Sequence, residues 1–420
     1  MVHFGVICPP VSGHVNPLSA LGRELKQRGH RVTFFHMPDL ERKVRSEGLE
    51  FRAIGEKDHP QGSLPESLAQ LGRLRGLAAL RFTIRAIHHT TSMICRDAPS
   101  AVREEHVDAL LVDQTEPAGA AIADLLGIPF ITICSALALN RESSVPPPFT
   151  PWNYSESRWA RLRNRIGYSA SGLLLRPVTR CVIEHRKAWG LPHYPADASF
   201  SRLAQISQQP SAFDFPRRTL PPQFHYVGPL RNASPSEIPF PWERLDGRPL
   251  IYASLGSLQG NNFGLLRTFA EACAGLDAQL VISHGGGLTR EAASGIGRSA
   301  LVVDYAPQME LLAKASLTLT HAGLNTVLDS LTFGVPLVAI PITYEQPAIA
   351  ARVQWTGTGI VIPKGRADVK TIRAAVQTAL SDSSFKSNAL RIAGSIREGG
   401  GASRAADLIL ASLSAKSHSK

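Results

Sequence analysis

Apolar residues along the chain follow two alternating patterns: short unbroken runs, and longer stretches in which they recur every three or four positions. HFGVIC, an amphipathic stretch at 16–27 and HRVTFFH read in that order as strand, helix and strand. Unbroken apolar runs suit strands covered on both faces, and their alternation with helices is the grammar of a parallel sheet. The unit returns as DALLVD at 108–113, the helical AGAAIADLLG, and PFITIC at 129–134. A Pro- and Arg-rich region at 146–201 interrupts it and is expected to form helices that wall a pocket. A second Pro-rich stretch, 221–249, has the composition of a connection between domains, with the boundary near Asn232. Beyond it the grammar restarts with LIYASLGS at 250–257, a helix at 263–274, AQLVISHG, ALVVDYAP, LTLTHAG, a helix from about Leu324, and PLVAIP. The expectation is an α/β chain of two doubly wound parallel-sheet units, 1–232 and 249–420, joined by a linker at 233–248. Ligand would lie in the cleft between the carboxyl ends of the strands. A last helix near 402–412, counted with the second unit, packs back on one of the two, and the basic tail 416–420 is expected to fray.

Length agrees with this division, since 420 residues is about twice the usual domain size. The formal charge of +11 draws anions of every kind, including nucleic acid, acidic membrane surfaces and nucleotide sugars. Its densest part is 158–187, where Arg158, Arg161, Arg163, Arg165, Arg176, Arg180, Arg186 and Lys187 face only Glu184. That reads equally as a solvated helix face or as a patch for a membrane surface, and Trp152, Trp159 and the leucines at 173–175 tilt it toward the patch. The five cysteines, Cys8, Cys95, Cys134, Cys181 and Cys273, are scattered without CxxC or metal-ligand spacing and read as buried thiols in a reducing compartment. The opening MVHFGVICPP lacks the basic and apolar regions of a signal peptide, and no apolar run is long enough to span a bilayer. A cytoplasmic protein is expected, at most peripheral to a membrane.

The densest chemical signal lies between Leu301 and Ala348. A strand ending at Thr320 runs into His321, Gly323, Asn325 and Thr326, and the spacing of Val327, Leu328 and Leu331 then announces a helix. Gly323 permits a tight turn close to a ligand, and the first amides of the helix point outward unpaired with partial positive charge. Together they make a seat for a diphosphate. His321, Asn325 and Thr326 add side-chain donors, and Asp329, one turn in, can accept both hydroxyls of a ribose. Taken singly, Asn325 or Thr326 reads as a helix cap and Asp329 as a surface acid. Tyr305 to Gln308 upstream and Glu345-Gln346 downstream, each just after a strand-like run, favour a site over that blander reading.

A group transfer onto a hydroxyl needs a base with a pKa near working pH, and histidine suits it. His14 follows the first strand in PPVSGHVNPL, where Gly13 frees the loop and Asn16-Pro17 opens the next helix. A carboxylate must fix its tautomer and stabilise the imidazolium. Asp113 ends DALLVD on the same sheet edge; Asp108 and Glu116 are rivals, and a helix cap is the structural alternative for Asp113.

The block LVVDYAPQMELL, LTLTHAGLNTVLDSLTFGVP and LVAIPITYEQPA resembles the nucleotide-sugar signature of the family 1 glycosyltransferases, enzymes of the two-Rossmann GT-B architecture. The resemblance implies that Tyr305 stacks on uracil, that Gln308 holds the nucleoside, and that His321, Asn325 and Thr326 bind the diphosphate. It further implies Asp329 on the ribose and Glu345 and Gln346 on the sugar. The SLGS turn at 254–257, with Ser257, resembles the family's phosphate-side loop, and His14 and Asp113 match its catalytic dyad. Plant members carry Trp where Tyr305 and Leu324 stand, Glu at Asp329 and Asp at Glu345. VDQTEPAGAAIADLLGIPF, LAQISQ, FHYVGPLR and SLGSLQG look most like bacterial carotenoid glucosyltransferases. The implied reaction is inverting transfer of a sugar, glucose from UDP-glucose foremost, to an apolar hydroxylated acceptor such as zeaxanthin. Family members acting on macrolides, flavonoids or sterols are the alternative. No cofactor beyond the UDP-sugar co-substrate is expected, and no metal, because no DxD-like pair flanks the seat and the helix terminus can carry the leaving charge.

Other classes fit less well. A dinucleotide-dependent oxidoreductase needs GxGxxG where PPVSGHVNP stands. HGGG at 284–287 resembles an esterase oxyanion loop, yet no GxSxG occurs, so these glycines read as a loop near the donor seat. A glycoside hydrolase needs two facing carboxylates, and the spacing of the acids proposes none. A nucleic-acid-binding protein rests on charge alone and is not expected. A sugar-nucleotide epimerase shares the two-lobed shape but would consume no acceptor.

Overall fold

The structure, a computed structural model, describes residues 1–74, 76–192, 199–231, 237–297 and 300–417. The boundary at Asn232, the linker's first residues 233–236 and the tail's last residues 418–420 lie outside them. Two parallel sheets organise the chain. The first contains β1 (His3–Ile7), β2 (Arg31–His36), β3 (Glu50–Ala53), β4 (Ala109–Asp113), β5 (Phe130–Cys134), β6 (Gln205–Ser207) and β7 (Phe224–Tyr226). Their order is β3-β2-β1-β4-β5-β6-β7. The second contains β8 (Leu250–Ser254), β9 (Gln279–Ser283), β10 (Ala300–Val303), β11 (Ala315–Thr320), β12 (Leu337–Ala339) and β13 (Gly359–Val361). Its order is β10-β9-β8-β11-β12-β13. The runs read from the sequence as HFGVIC, DALLVD and LIYAS are buried along their whole length as β1, β4 and β8, as helices on both faces of a parallel sheet require.

In each sheet the strand order reverses beside its first strand: β1 lies between β2 and β4, and β8 between β9 and β11. At such a reversal the loops leaving two adjacent strands part to opposite faces and open a crevice. The pairs Ile7↔Val112 and Ser254↔Thr320 set the two crevices.

Two elements depart from the sequence reading, and a third settles a choice that it left open. The first helix begins at Ser12 instead of near Asn16, so His14 stands in its first turn and not in a loop. Pro17 is tolerated inside it, but its missing N–H leaves the Gly13 carbonyl without an intrahelical donor. The region 146–201 does form helices, Arg158–Leu174 and Arg176–Ala188, yet none of its described residues lines the large cleft. Helices Ser63–Arg73 and Gly76–Glu104 wall the cleft instead, and Arg176–Ala188 packs behind the latter. The last helix, Gly401–Ser417, packs on the first unit: Ala405, Ala406 and Ile409 share a core with Leu18, Leu21 and Leu25 of Ser12–Gln27. Arg28 ties the two helices with bonds to Asp407 at 2.6 Å and to the Ser403 hydroxyl at 2.8 Å.

The sheets are also joined by a buried charge cluster. Arg352, from helix Gln346–Thr356, donates through Nε and Nη2 to Asp214 Oδ1 at 2.9 and 2.7 Å. Arg217 and Tyr226 hold the other oxygen at 3.0 and 2.9 Å. Burial alone would raise the Asp214 pKa, but the two guanidiniums hold it far below the usual carboxylate range, and every charge in the cluster has a partner.

Candidate active site between the two sheets

A cleft of about 1960 Å³ lies between the carboxyl ends of the two sheets and is lined from both. On the first side, His14 projects from the start of Ser12–Gln27, and Asp113 closes β4. Because β1 and β4 are neighbours, the two meet: His14 Nδ1 lies 2.8 Å from Asp113 Oδ2. Asp113 is wholly buried, and its second oxygen accepts the Thr115 N–H at 2.9 Å and hydroxyl at 2.6 Å. With Nδ1–H donated to a fixed carboxylate, Nε2 is the atom left to take a proton from a ligand.

Electrostatics sharpen this pair. Burial would lower the His14 pKa, but the charge and hydrogen bond of Asp113, followed by the charge of Glu345, raise it on balance. Burial pushes the Asp113 pKa up, and the imidazolium and Thr115 more than offset that, so it stays ionised. Glu116, also buried in the cleft wall, behaves differently: burial drives it up to about 8, against a bond from Ala118 N–H. At neutral pH it is a protonated neighbour of a charged dyad.

On the second side, the loops after β8 and β11 face this pair. Helix Leu324–Thr332 starts after Gly323 with no side-chain cap, so its first amides stay open toward the cleft. The tight turn itself falls on Ala322, at φ +65. Gly323 is required for a different reason from the one its sequence position suggested: a Cβ there would stand 2.6 Å from His321 Nε2, and one on Gly256 3.0 Å from the same ring. His321 is thus clamped beside the helix start, 8% exposed. Burial lowers its pKa to about 4, against an opposing influence from the Ser254 backbone. Its ring is neutral at pH 7, and the positive potential at this seat comes from the helix terminus.

Of the remaining sequence candidates, Ser257, Tyr305, Gln308, Asn325, Thr326, Asp329, Glu345 and Gln346 all line the cleft. Tyr305 is 57% exposed. Gln308 donates to Asp329 Oδ2 at 2.6 Å and accepts from the Tyr252 hydroxyl at 3.2 Å. Gln346 uses its amide oxygen to accept the N–H groups of Ile342 and Thr343 at 2.9 and 2.8 Å, leaving Nε2 as the end to meet a ligand. Asn325 Nδ2 donates at 3.1 Å to the Gly13 carbonyl that Pro17 leaves free, so the two units touch one residue from His14. Among the described residues no group of three or more His, Cys, Asp or Glu side chains is gathered as a metal ion would need.

Residues 78–398 match the family described as "UDP-glucoronosyl and UDP-glucosyl transferase", and residues 12–110 match "Glycosyltransferase family 28 N-terminal domain". The chain belongs to the UDP-glycosyltransferase family. The zeaxanthin glucosyltransferase of Pantoea ananas is 38% identical over 413 residues, covering 97% of this chain and 95% of the relative. That of Pseudescherichia vulneris is 37% identical over 419 residues, 97% of each chain. The solved structure of CalG4, the calicheamicin glycosyltransferase, superposes with a TM-score of 0.77 at 24% identity over 99% of this chain and 98% of that one, which shows a shared GT-B fold. The protein is therefore a family 1 glycosyltransferase, and its family implies a UDP-sugar donor and a small-molecule acceptor.

The glycosyltransferase also has a cleft residue that the sequence reading did not single out, Arg231, with the buried Gln208 beside it. Arg231 Nε contacts Asp329 Oδ1 at 2.5 Å, and its other nitrogens reach Gln208 Oε1 at 3.2 Å and the Asn325 carbonyl at 3.3 Å. Gln208 in turn donates to Asn325 Oδ1 at 3.0 Å. One oxygen of Asp329 is thus held by an arginine from the first unit. Both residues had a sequence signal: Gln208 directly follows β6, and Arg231 stands shortly after β7, the same strand-end rule that singled out His14. The walls Ser63–Arg73 and Gly76–Glu104 left no such signal, because they carry no strand-end polar residue.

Proposed function

We propose that the glycosyltransferase moves glucose from UDP-glucose, with inversion, onto a hydroxyl of an apolar acceptor, foremost a carotenoid diol such as zeaxanthin. The observation that carries the reaction is the His14–Asp113 pair facing the uncapped start of helix Leu324–Thr332 across one cleft. In this reading the acceptor oxygen attacks the anomeric carbon while its proton passes to His14 Nε2, and Asp113 stabilises the imidazolium. The bond from that carbon to the diphosphate oxygen breaks, UDP leaves with the electron pair, and a single displacement inverts the configuration. Charge growing on the leaving diphosphate falls on the first amides of helix Leu324–Thr332, with Gly323, Ser257, His321, Asn325 and Thr326 around it. Tyr305 and Gln308 hold the nucleoside, Asp329 the ribose, and Glu345 and Gln346 the sugar hydroxyls.

The acceptor reading is supported by the two zeaxanthin glucosyltransferases at 38% and 37% identity and by the apolar wall of Leu64, Leu68, Leu71, Phe82 and Ile87 in the cleft. We take residues 1–232 as the acceptor lobe and 249–420 as the donor lobe, with the last helix crossing back to the first. The test is purified protein with UDP-glucose, with and without zeaxanthin in detergent, following UDP release, product mass and anomeric configuration. A hexose increment with inverted linkage is expected. UDP binding with no transfer to this diol would overturn the acceptor, and an isomerised donor with no acceptor consumed would overturn the reaction.

A further inference from the structure

The helix Arg158–Leu174 is capped by Ser157, whose hydroxyl accepts the Ala160 N–H at 3.2 Å. One of its faces is locked to the body. Asn164 Nδ2 donates to the Ser143 carbonyl at 3.0 Å and the Tyr168 hydroxyl to Val145 at 3.1 Å, while a Cβ on Gly167 would stand 2.8 Å from the Trp152 ring. Trp152 is therefore packed inward, beneath Arg163, whose guanidinium carbon lies 4.7 Å from the ring centre. The helix cannot rotate about its axis without breaking these contacts.

Its opposite side carries Trp159, Leu162, Ile166 and Leu173, all exposed, Trp159 at 80% and Ile166 at 60%. Their spacing puts them on a single stripe of an α-helix. Arg158, Arg161 and Arg165 each precede one of these residues by one position and are exposed too, so a cationic stripe runs beside the apolar one. No Asp or Glu occurs from Ser157 to Ile183. Monomeric surfaces seldom leave such a stripe open unless something covers it.

We infer that this face docks the enzyme on an anionic lipid surface, with the apolar stripe below the headgroups and the arginines at their phosphates. Charge complementarity decides the occupant. A second copy presenting the same face would set arginines against arginines, and a nucleic acid would pair with the arginines but leave the leucine and isoleucine side chains uncovered. An anionic bilayer satisfies both stripes, since basic amphipathic helices lie in its interface and long cationic side chains reach up to the headgroups. The adjoining helix Arg176–Ala188 packs on Gly76–Glu104, whose residues Phe82, Ala86 and Ile87 line the cleft. The docked face and the acceptor wall are one helix layer apart. The use of docking, collection of a lipid-dissolved acceptor, rests on the proposed apolar acceptor; the binding itself does not.

The test is co-flotation of the full chain with vesicles of phosphatidylcholine alone or mixed with phosphatidylglycerol. Binding is expected only with the anionic lipid and should weaken as salt rises. Arg158→Gln/Arg161→Gln/Arg165→Gln should lower it about a hundredfold, at about fivefold per arginine. Trp159→Gln/Leu162→Gln/Ile166→Gln should lower it at least about tenfold. Both variants change exposed positions and should keep the wild-type Tm and UDP-induced Tm rise. Their turnover should fall with acceptor in anionic vesicles and match wild type with acceptor in detergent. Wild type that ignores anionic vesicles, triple variants that bind them undiminished, or a face that instead drives dimerisation or RNA retention would overturn the docking. Vesicle binding without any carotenoid transfer would leave docking standing and overturn the acceptor reading alone.

Discussion

The two sheets open their crevices at the same topological place, yet the loops there have opposite electrical character. After β1 and β4 the chain places a histidine against a buried, ionised carboxylate, with a second carboxyl, Glu116, held protonated nearby. After β8 and β11 it places a neutral, clamped imidazole and an uncapped helix start. A doubly wound sheet fixes where a site forms, and the residues on its strand ends fix what the site attracts: a proton on one side, an anion on the other. The two halves also meet beside this pair, where Asn325 donates to the Gly13 carbonyl that Pro17 has exposed.

This division can be broken one half at a time. His14→Ala should lower turnover roughly 100-fold or more while UDP affinity stays near wild type, because it removes the base and not the anion seat. Calorimetry showing an equal loss of UDP binding would merge the two halves into one. Asp113→Asn should cost about tenfold or more in kcat. It also tests the pH dependence. His14 must be neutral to act, and its pKa lies above the ordinary 6.5, so kcat/KM should fall as pH drops through a value above 6.5. Removing the Asp113 charge should move that acid limb to lower pH, and an unmoved limb would deny the pair its role.

On the donor side, Asp329→Ala should weaken UDP binding about tenfold, equal to about 1.4 kcal/mol, with kcat at saturating donor less affected. Unchanged affinity would remove the ribose assignment. Arg231→Ala leaves the buried Asp329 carboxylate with Gln308 alone, a loss of about 1–3 kcal/mol in the unliganded protein. Its Tm should fall, and saturating UDP should raise that Tm by more than it raises the wild-type value. A smaller UDP-induced rise would mean that Arg231 holds the nucleotide and does not merely hold its place. The smallest effect is expected from Glu116→Gln, which copies the protonated state: rates at pH 7 should stay within about twofold. A large loss there would show that Glu116 works as a carboxylate.

The sequence by itself determined the alternation of strands and helices, the two-sheet class and which polar residues of the second unit line the cleft. All of these follow from local rules: apolar periodicity, and polar residues placed just after apolar runs. It also named His14 and Asp113, since a parallel sheet brings the ends of neighbouring strands together whatever the intervening sequence. The start of the first helix was misplaced, because Pro17 reads as a helix opener and is instead accommodated inside. Only the tertiary structure decided that Gly323 serves His321 by its missing Cβ, that Arg231 reaches across to Asp329, and that helices Ser63–Arg73 and Gly76–Glu104 wall the cleft in place of the 146–201 region. The same holds for the last helix, which follows the second sheet in sequence but buries its apolar face on the first. These are contacts between residues far apart in the chain, and periodicity records that an apolar face must be covered without recording by what.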